Sequence, residues 1–286
     1  MENTQPVVKS NPLSKYFRQP AIHMKLPSGG RYWPEGSINL PITGEIPVLP
    51  MTARDEITLR TPDALMNGSS IVEIVHSCCP NILDAWKMPS TDLDAILIGI
   101  RIASYKNNMD VDTICPNCEA ENNNTVDLQY VLNNIVAPDY EEKLEVGELK
   151  IKIVPQQFFN VNKKNMISFE ESRIMNSLND ESVDAETRAA QINKSMAVLA
   201  DIGLDIVTTS TEYVEISDGT RVTKKEHLRE FYENTDGNIT KLVQERLGKL
   251  NQDGAIKAPR IACSNCTKEF QLPLNFDYSN FFGIGS

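Results

Sequence analysis

Cys115-Pro116-Asn117-Cys118 and Cys263-Ser264-Asn265-Cys266 are two copies of one pattern, Cys-x-Asn-Cys, separated by 144 residues, 119 to 262. A two-residue spacer lets both sulfurs of a pair point inward and grip one edge of a tetrahedral metal ion. Each pair is followed by a polar turn and a short strand-like run. If both pairs hold one ion, the middle of the chain is tied to its C-terminus. The expected fold class is α+β: a small N-terminal β unit, helical segments, and a zinc-ribbon-like four-cysteine knuckle pair interrupted by a long helical insertion. Cys115, Cys118, Cys263 and Cys266 are the expected ligands of a structural Zn2+. Two independent pairs of reduced thiols, or two sites shared between subunits, also satisfy the spacing. A thioredoxin-like redox motif fits poorly, because neither pair follows a strand and opens a helix.

Four thiolates at about 2.3 Å complete the tetrahedron and leave no position for a reactive water. Such a site builds structure. Its binding free energy becomes folding free energy, set against the chain entropy of closing a long loop.

The rest of the chain bounds what the site can serve. The 286 residues are 41% hydrophobic, enough for one large domain or two modest ones. The formal charge of -11 argues against broad nucleic-acid binding and against docking on an anionic membrane. No apolar run approaches the roughly 20 residues of a membrane-spanning helix, and the N-terminus lacks a signal-peptide apolar core. A reducing cytoplasm follows, where paired Cys-x-x-Cys motifs indicate metal sites more readily than disulfides.

Outward from the cysteines, residues 1–20 read as an extended arm, either a disordered tail or a segment that orders on a partner with Tyr16 and Phe17 as anchors. Residues 21–50 form a small curved β unit: AIHMKL and SINL are strand-like, and five prolines forbid long ladders. Thr52 and Asp55 mark a capping box, and Thr61-Pro62 an N-cap. Ser70 to Cys78 forms a short helix. Thr91 and Asp94 open DLDAILIGIRIASY, where Leu93, Ile96, Leu97, Ile100 and Ala103 make a stripe widened by Ile98 and Ile102. Such a helix is buried on nearly every side. TVDLQYVL is expected as a strand, and 145–154 as a hairpin around Gly147.

Residues 156–200 return to helix, with Met175, Leu178, Ile192, Met196, Val198 and Leu199 as core candidates. A hairpin over 211–222 turns at Asp218-Gly219. Thr223 and Glu226 form a capping box for a helix through His227, Leu228 and Phe231. A last helix carries Leu242, Val243, Leu247 and Leu250, and EFQLPL is a closing strand. The tail FDYSNFFGIGS has four aromatics, enough to anchor it on a partner. The expected units are the arm (1–20), a β unit with helices (21–110), the split ribbon (111–155 with 259–275), the helical insertion (156–258) and the tail (276–286).

Catalysis has no positive support. His23, His76 and His227 show no metal-protease spacing, and no phosphate loop, nucleophile elbow or dinucleotide fingerprint is present. Cys78 and Cys79, after His76, fit a buried apolar pair. Asp139-Tyr140-Glu141-Glu142 fits a solvated face. Asp92 and Asp94 fit helix capping better than a carboxylate pair.

The strings LPSGG…Y-x-PEGSI, PMTA-x-DEI and TPDAL-x-NG, within residues 26–78, resemble the phage family of T4-like baseplate proteins, called hub or hub-assembly proteins. The likeness continues through KMPSTDLDAILIGIRIASY and CPNC, covering about 12–130. The later helical region and CSNC match more loosely. The resemblance implies a structural or assembly component of a contractile tail baseplate. Its partners would be other tail and baseplate proteins, in one or multiple copies. Its place would be the virion tail, or the host cytoplasm during assembly. Two other classes stand beside it: a zinc-ribbon nucleic-acid binder, disfavoured by charge, and a tail-associated hydrolase, which lacks an acid/base pair.

Overall fold

The structure is a computed structural model, and it describes residues 11–60, 68–177, 184–257, 259–272 and 281–282. The expectations at Thr61-Pro62 and Leu178, and the tail apart from Phe281 and Phe282, lie outside these residues. The fold is mixed helix and sheet, and α+β describes it.

The first core is organised around one helix. Strand β1 (Ile22–Lys25) pairs antiparallel with β2 (Glu45–Val48), with Met24 opposite Ile46. Helices α1 (Ala53–Leu59), α2 (Ser69–Cys78) and α3 (Ser90–Tyr105) follow. Every residue of α3 from Ala95 to Ile102 is buried, as an apolar helix requires. Gly99 lets β1 approach: a Cβ there would lie 2.5 Å from Met24 Sδ. SINL does not form a strand. Ile38 makes only an isolated bridge to Ile82, because the surrounding prolines interrupt a ladder. The sheet partner of β1 is Glu45–Val48 instead. Pro47 sits opposite His23, so it is tolerated in this two-stranded pair.

The arm is partly tied down. Arg18 donates to Pro50 O (2.6 Å), Ser77 O (2.7 Å) and Ser77 Oγ (2.8 Å), and lies 3.4 Å from Asp55 Oδ2. Before it, Leu13, Tyr16 and Phe17 stay exposed around a 3₁₀ turn, Pro12–Tyr16.

Strands β3 (Asn108–Ile114) and β4 (Glu121–Asp127) form a hairpin, and α4 (Leu128–Asn133) follows directly. TVDLQYVL is therefore half strand and half helix. Asp127 stops the strand: its carboxylate accepts the N–H groups of Gln129 (2.9 Å) and Tyr130 (3.3 Å), capping α4.

The second core sits on a four-stranded antiparallel meander: β5 (Leu144–Val146), β6 (Leu149–Ile153), β7 (Thr211–Glu215) and β8 (Arg221–Val222). Gly147, at φ +59°, turns β5 into β6. Two long helices, α5 (Phe158–Ser177) and α6 (Ala185–Ser210), leave and re-enter this sheet between β6 and β7. The sheet thus joins residues on both sides of position 155. Helices α7 (Lys225–Asn234) and α8 (Gly237–Asp253) cover it with Leu228, Tyr232, Val243, Leu247 and Leu250.

Several local expectations give way to packing. Met196, Leu199 and Leu242 are exposed, not core, because their helices present those faces to solvent. Thr223 does not cap α7; Lys224 is the N-cap, without a side-chain bond. Nor do Thr91 and Asp94 cap α3, whose N-cap is Pro89. Phe281 and Phe282 are buried in this chain's first core, so those two aromatics are not free for a partner.

Candidate metal centre

Strands β9 (Arg260–Ala262) and β10 (Glu269–Gln271) form a second small hairpin. Each cysteine pair occupies the turn of its hairpin, and the two turns are copies. Ile114 pairs with Glu121 in one, and Ala262 with Glu269 in the other. Cys115 N–H donates to Ala120 O and Cys263 N–H to Lys268 O, at 2.9 and 3.0 Å. Glu119 N–H returns to Cys115 O, and Thr267 N–H to Cys263 O. Glu119 and Thr267 both take positive φ, 57° and 60°. This left-handed step turns the chain so that both sulfurs face the same point.

The turns meet. All four Sγ atoms lie within 4.8 Å of one another. Cys115 Sγ is 3.8 Å from Cys266 Sγ, and Cys118 Sγ is 3.6 Å from Cys263 Sγ. Four sulfurs around one ion at about 2.3 Å stand about 3.8 Å apart. The two cross-pair edges already have that length, and four sulfur donors suit a thiophilic divalent ion. The residues present therefore fit a metal, held by all four cysteines.

Polar groups favour thiolate at the second pair. The Cys263 thiol is pulled down to about 6, chiefly by the backbone N–H of Cys266 and then that of Asn265, with Asn122 and Cys115 adding to it. Cys266 is lowered first by the backbone N–H of Lys268. Cys118 goes the other way, to about 11: Ala120 N–H lowers it, but burial and the three neighbouring sulfurs outweigh that donor. Neighbouring thiols resist losing all their protons together, and a cation removes that conflict.

Sequence reasoning missed Asn122. It is 5% exposed on β4, and its amide reaches across to the second turn. Nδ2 lies 3.6 Å from Cys263 Sγ, while Oδ1 accepts from Ser264 N (2.8 Å) and Ser264 Oγ (3.0 Å). Three consecutive asparagines in a strand gave no hint of which one faces inward.

The other candidates are structural. Cys78 and Cys79 are fully buried, and burial pushes Cys78 up to about 12 and raises Cys79 as well. Neither is a ready nucleophile. Asp92 does not cap α3. It accepts from Ser28 N (2.8 Å), Ser28 Oγ (2.5 Å) and Trp33 Nε1 (2.8 Å), pinning the loop after β1 to α3. Burial raises its pKa despite these donors. His23 and His227 are exposed, and His76 Nε2 accepts from Ala85 N.

A cavity of about 870 Å³ lies between the two cores, lined in part by Tyr32, Trp33, Lys152 and Lys225. Its cations are engaged: Lys152 pairs with Glu141 at 2.8 Å, and Lys225 donates to the carbonyls of Thr208, Thr209 and Thr211.

The described residues thus define an α+β protein in which four cysteines from two matched turns converge. The chain belongs to the T4 bacteriophage base plate protein family, whose model matches residues 20–283. It is a phage baseplate component, which places it at the virion tail. The match runs through the long helices and the second cysteine pair. No curated protein and no solved structure gives a match. No helix among the described residues is long and apolar enough to cross a membrane.

Proposed function

We propose that this chain is a non-enzymatic structural or assembly part of a contractile tail baseplate, at or near its hub. It acts through protein–protein contacts, and Cys115, Cys118, Cys263 and Cys266 hold a structural Zn2+. The observation that carries this is the convergence of four sulfurs from two matched turns, with edges of tetrahedral length. All four coordination positions are taken by protein, so the ion would brace the fold and offer no site for chemistry. The turns carry Glu119, Glu121 and Glu269 beside a single Lys268, a poor surface for phosphates.

The exposed trio Leu13, Tyr16 and Phe17 suits a contact with another tail protein, because Arg18 fixes where it starts. Removing residues 1–17 leaves Arg18 in place and should abolish infectious tails. Normal tails from that deletion remove the arm from the proposal.

The zinc test is direct. The purified protein should contain one zinc per chain. Replacing Cys115 and Cys263 with Ser should remove it and lower the melting temperature. The loss should be on the order of the 5 kcal/mol that a cross-link over a loop of this length contributes. A parent without zinc and an unchanged melting temperature would falsify the clasp.

A further inference from the structure

The repeated asparagine of Cys-x-Asn-Cys has a structural counterpart. Asn117 Nδ2 lies 3.5 Å from Cys266 Sγ, and Asn265 Nδ2 lies 3.7 Å from Cys118 Sγ. Each amide crosses to the other turn and meets the second cysteine there. The two contacts are reciprocal, as the matched turns require.

The turns themselves do not need these side chains. Their shape rests on main-chain bonds, Glu119 N–H to Cys115 O and Thr267 N–H to Cys263 O. Asn117 and Asn265 are both exposed, so packing does not explain them either. What they face is sulfur. Four thiolates around a divalent ion leave two negative charges uncompensated, and N–H donors aimed at sulfur offset that charge. Lys268 adds to the effect: its ammonium donates to Asn117 Oδ1 at 2.7 Å and polarises the amide towards Cys266.

We propose that Asn117 and Asn265 are positioning residues for the metal, a crossed pair of amide donors that lowers the charge on the cluster and holds the two turns in register. This rests on the four cysteines binding Zn2+. The division of labour with Asn122 is clear. Asn122 docks the turns from the buried side through Ser264, and the crossed pair works from the solvent side.

The test measures zinc affinity by competition with a chromophoric chelator, with Co2+ absorption reporting four-sulfur tetrahedral ligation. Asn117→Ala with Asn265→Ala should weaken Zn2+ by about 10-fold or more, the usual effect of losing groups that support metal ligands. Asn117→Asp with Asn265→Asp should weaken it further, because a donor becomes a negative charge. Asn123→Ala should change nothing, since its amide bonds Asp112 on the strand face at 2.8 Å. Melting of the metal-free proteins, in excess chelator, should stay near that of the metal-free parent for all three. If a double variant does not fold, Asn265→Ala alone carries the test, with a smaller loss in the same direction. A parent that binds neither Zn2+ nor Co2+ overturns both the metal and the brace. A parent with the four-sulfur cobalt spectrum, and asparagine variants within threefold of its zinc affinity, overturns the brace alone.

Discussion

Helices α3 and α5 are both long, and they are built to opposite rules. Of the 16 residues of α3, ten are buried; of the 20 residues of α5, only Phe158 is. The contrast extends to their surroundings. Around α3, two local signals mean what they say: the apolar run is core, and Thr52 with Asp55 forms a complete capping box at α1. In α5, α6 and at the start of α7 the same kinds of signal do not. Phe159 and Phe169 are half exposed, Met196 of α6 is 56% exposed, and the Thr223 box at α7 is not made. Side-chain type alone marks a core residue only where apolar residues are dense enough to cover every face. Where they are sparse, burial depends on what the helix packs against.

Three tests probe how deep this difference goes. The largest effect is expected from truncation in the two helices. Ile98→Ala, at a fully buried site, should cost about 2–5 kcal/mol in urea unfolding. Phe169→Ala should cost far less, under about 0.5 kcal/mol, as an exposed substitution. Equal costs would erase the distinction between the helices.

Next comes charge just past the first turn of α3, at Asp94. Burial raises the pKa of Asp94 above its ordinary 3.8. A carboxyl raised in the folded state contributes stability that is complete below pH 3.8 and is lost as pH rises through the folded value. Asp94→Asn should therefore be more stable than the parent at pH 7, with the gap closing as pH falls towards 3.8. A gap that widens in acid contradicts that sign. The smallest effect concerns the two capping boxes. Thr52→Ala should cost about 1 kcal/mol and Thr223→Ala under about 0.5 kcal/mol. Thermal melts of the pair check this, and a reversed order would mean that α7 is capped after all.

Much of the fold was legible because it depends on neighbours in sequence. The cysteine spacing, the α3 run and the turns at Gly147 and Asp218-Gly219 are of this kind. TVDLQYVL misled because Thr, Val and Tyr favour strands, while the deciding group was one aspartate positioned to cap. What sequence could not show were contacts between distant residues: Arg18 on Ser77, Asp92 on Ser28 and Trp33, and Asn122 on Ser264. Each joins residues between 59 and 142 positions apart. The doubled asparagine was visible as a repeat, but its partner could be identified only once the turns were face to face.

The meeting of Cys115 and Cys118 with Cys263 and Cys266 has a mechanical consequence. With a metal across the four sulfurs, a pull between β3 and β10 runs through the cluster and bypasses both long helices. The 144 residues between the pairs are slack that such a load never stretches. At about 3.5 Å per extended residue they amount to roughly 500 Å of hidden contour. A chain stretched in a force experiment would lengthen by that step only when the sulfur cluster opens. A baseplate protein so clasped would carry tension along a short path, while its exposed helices keep their shape.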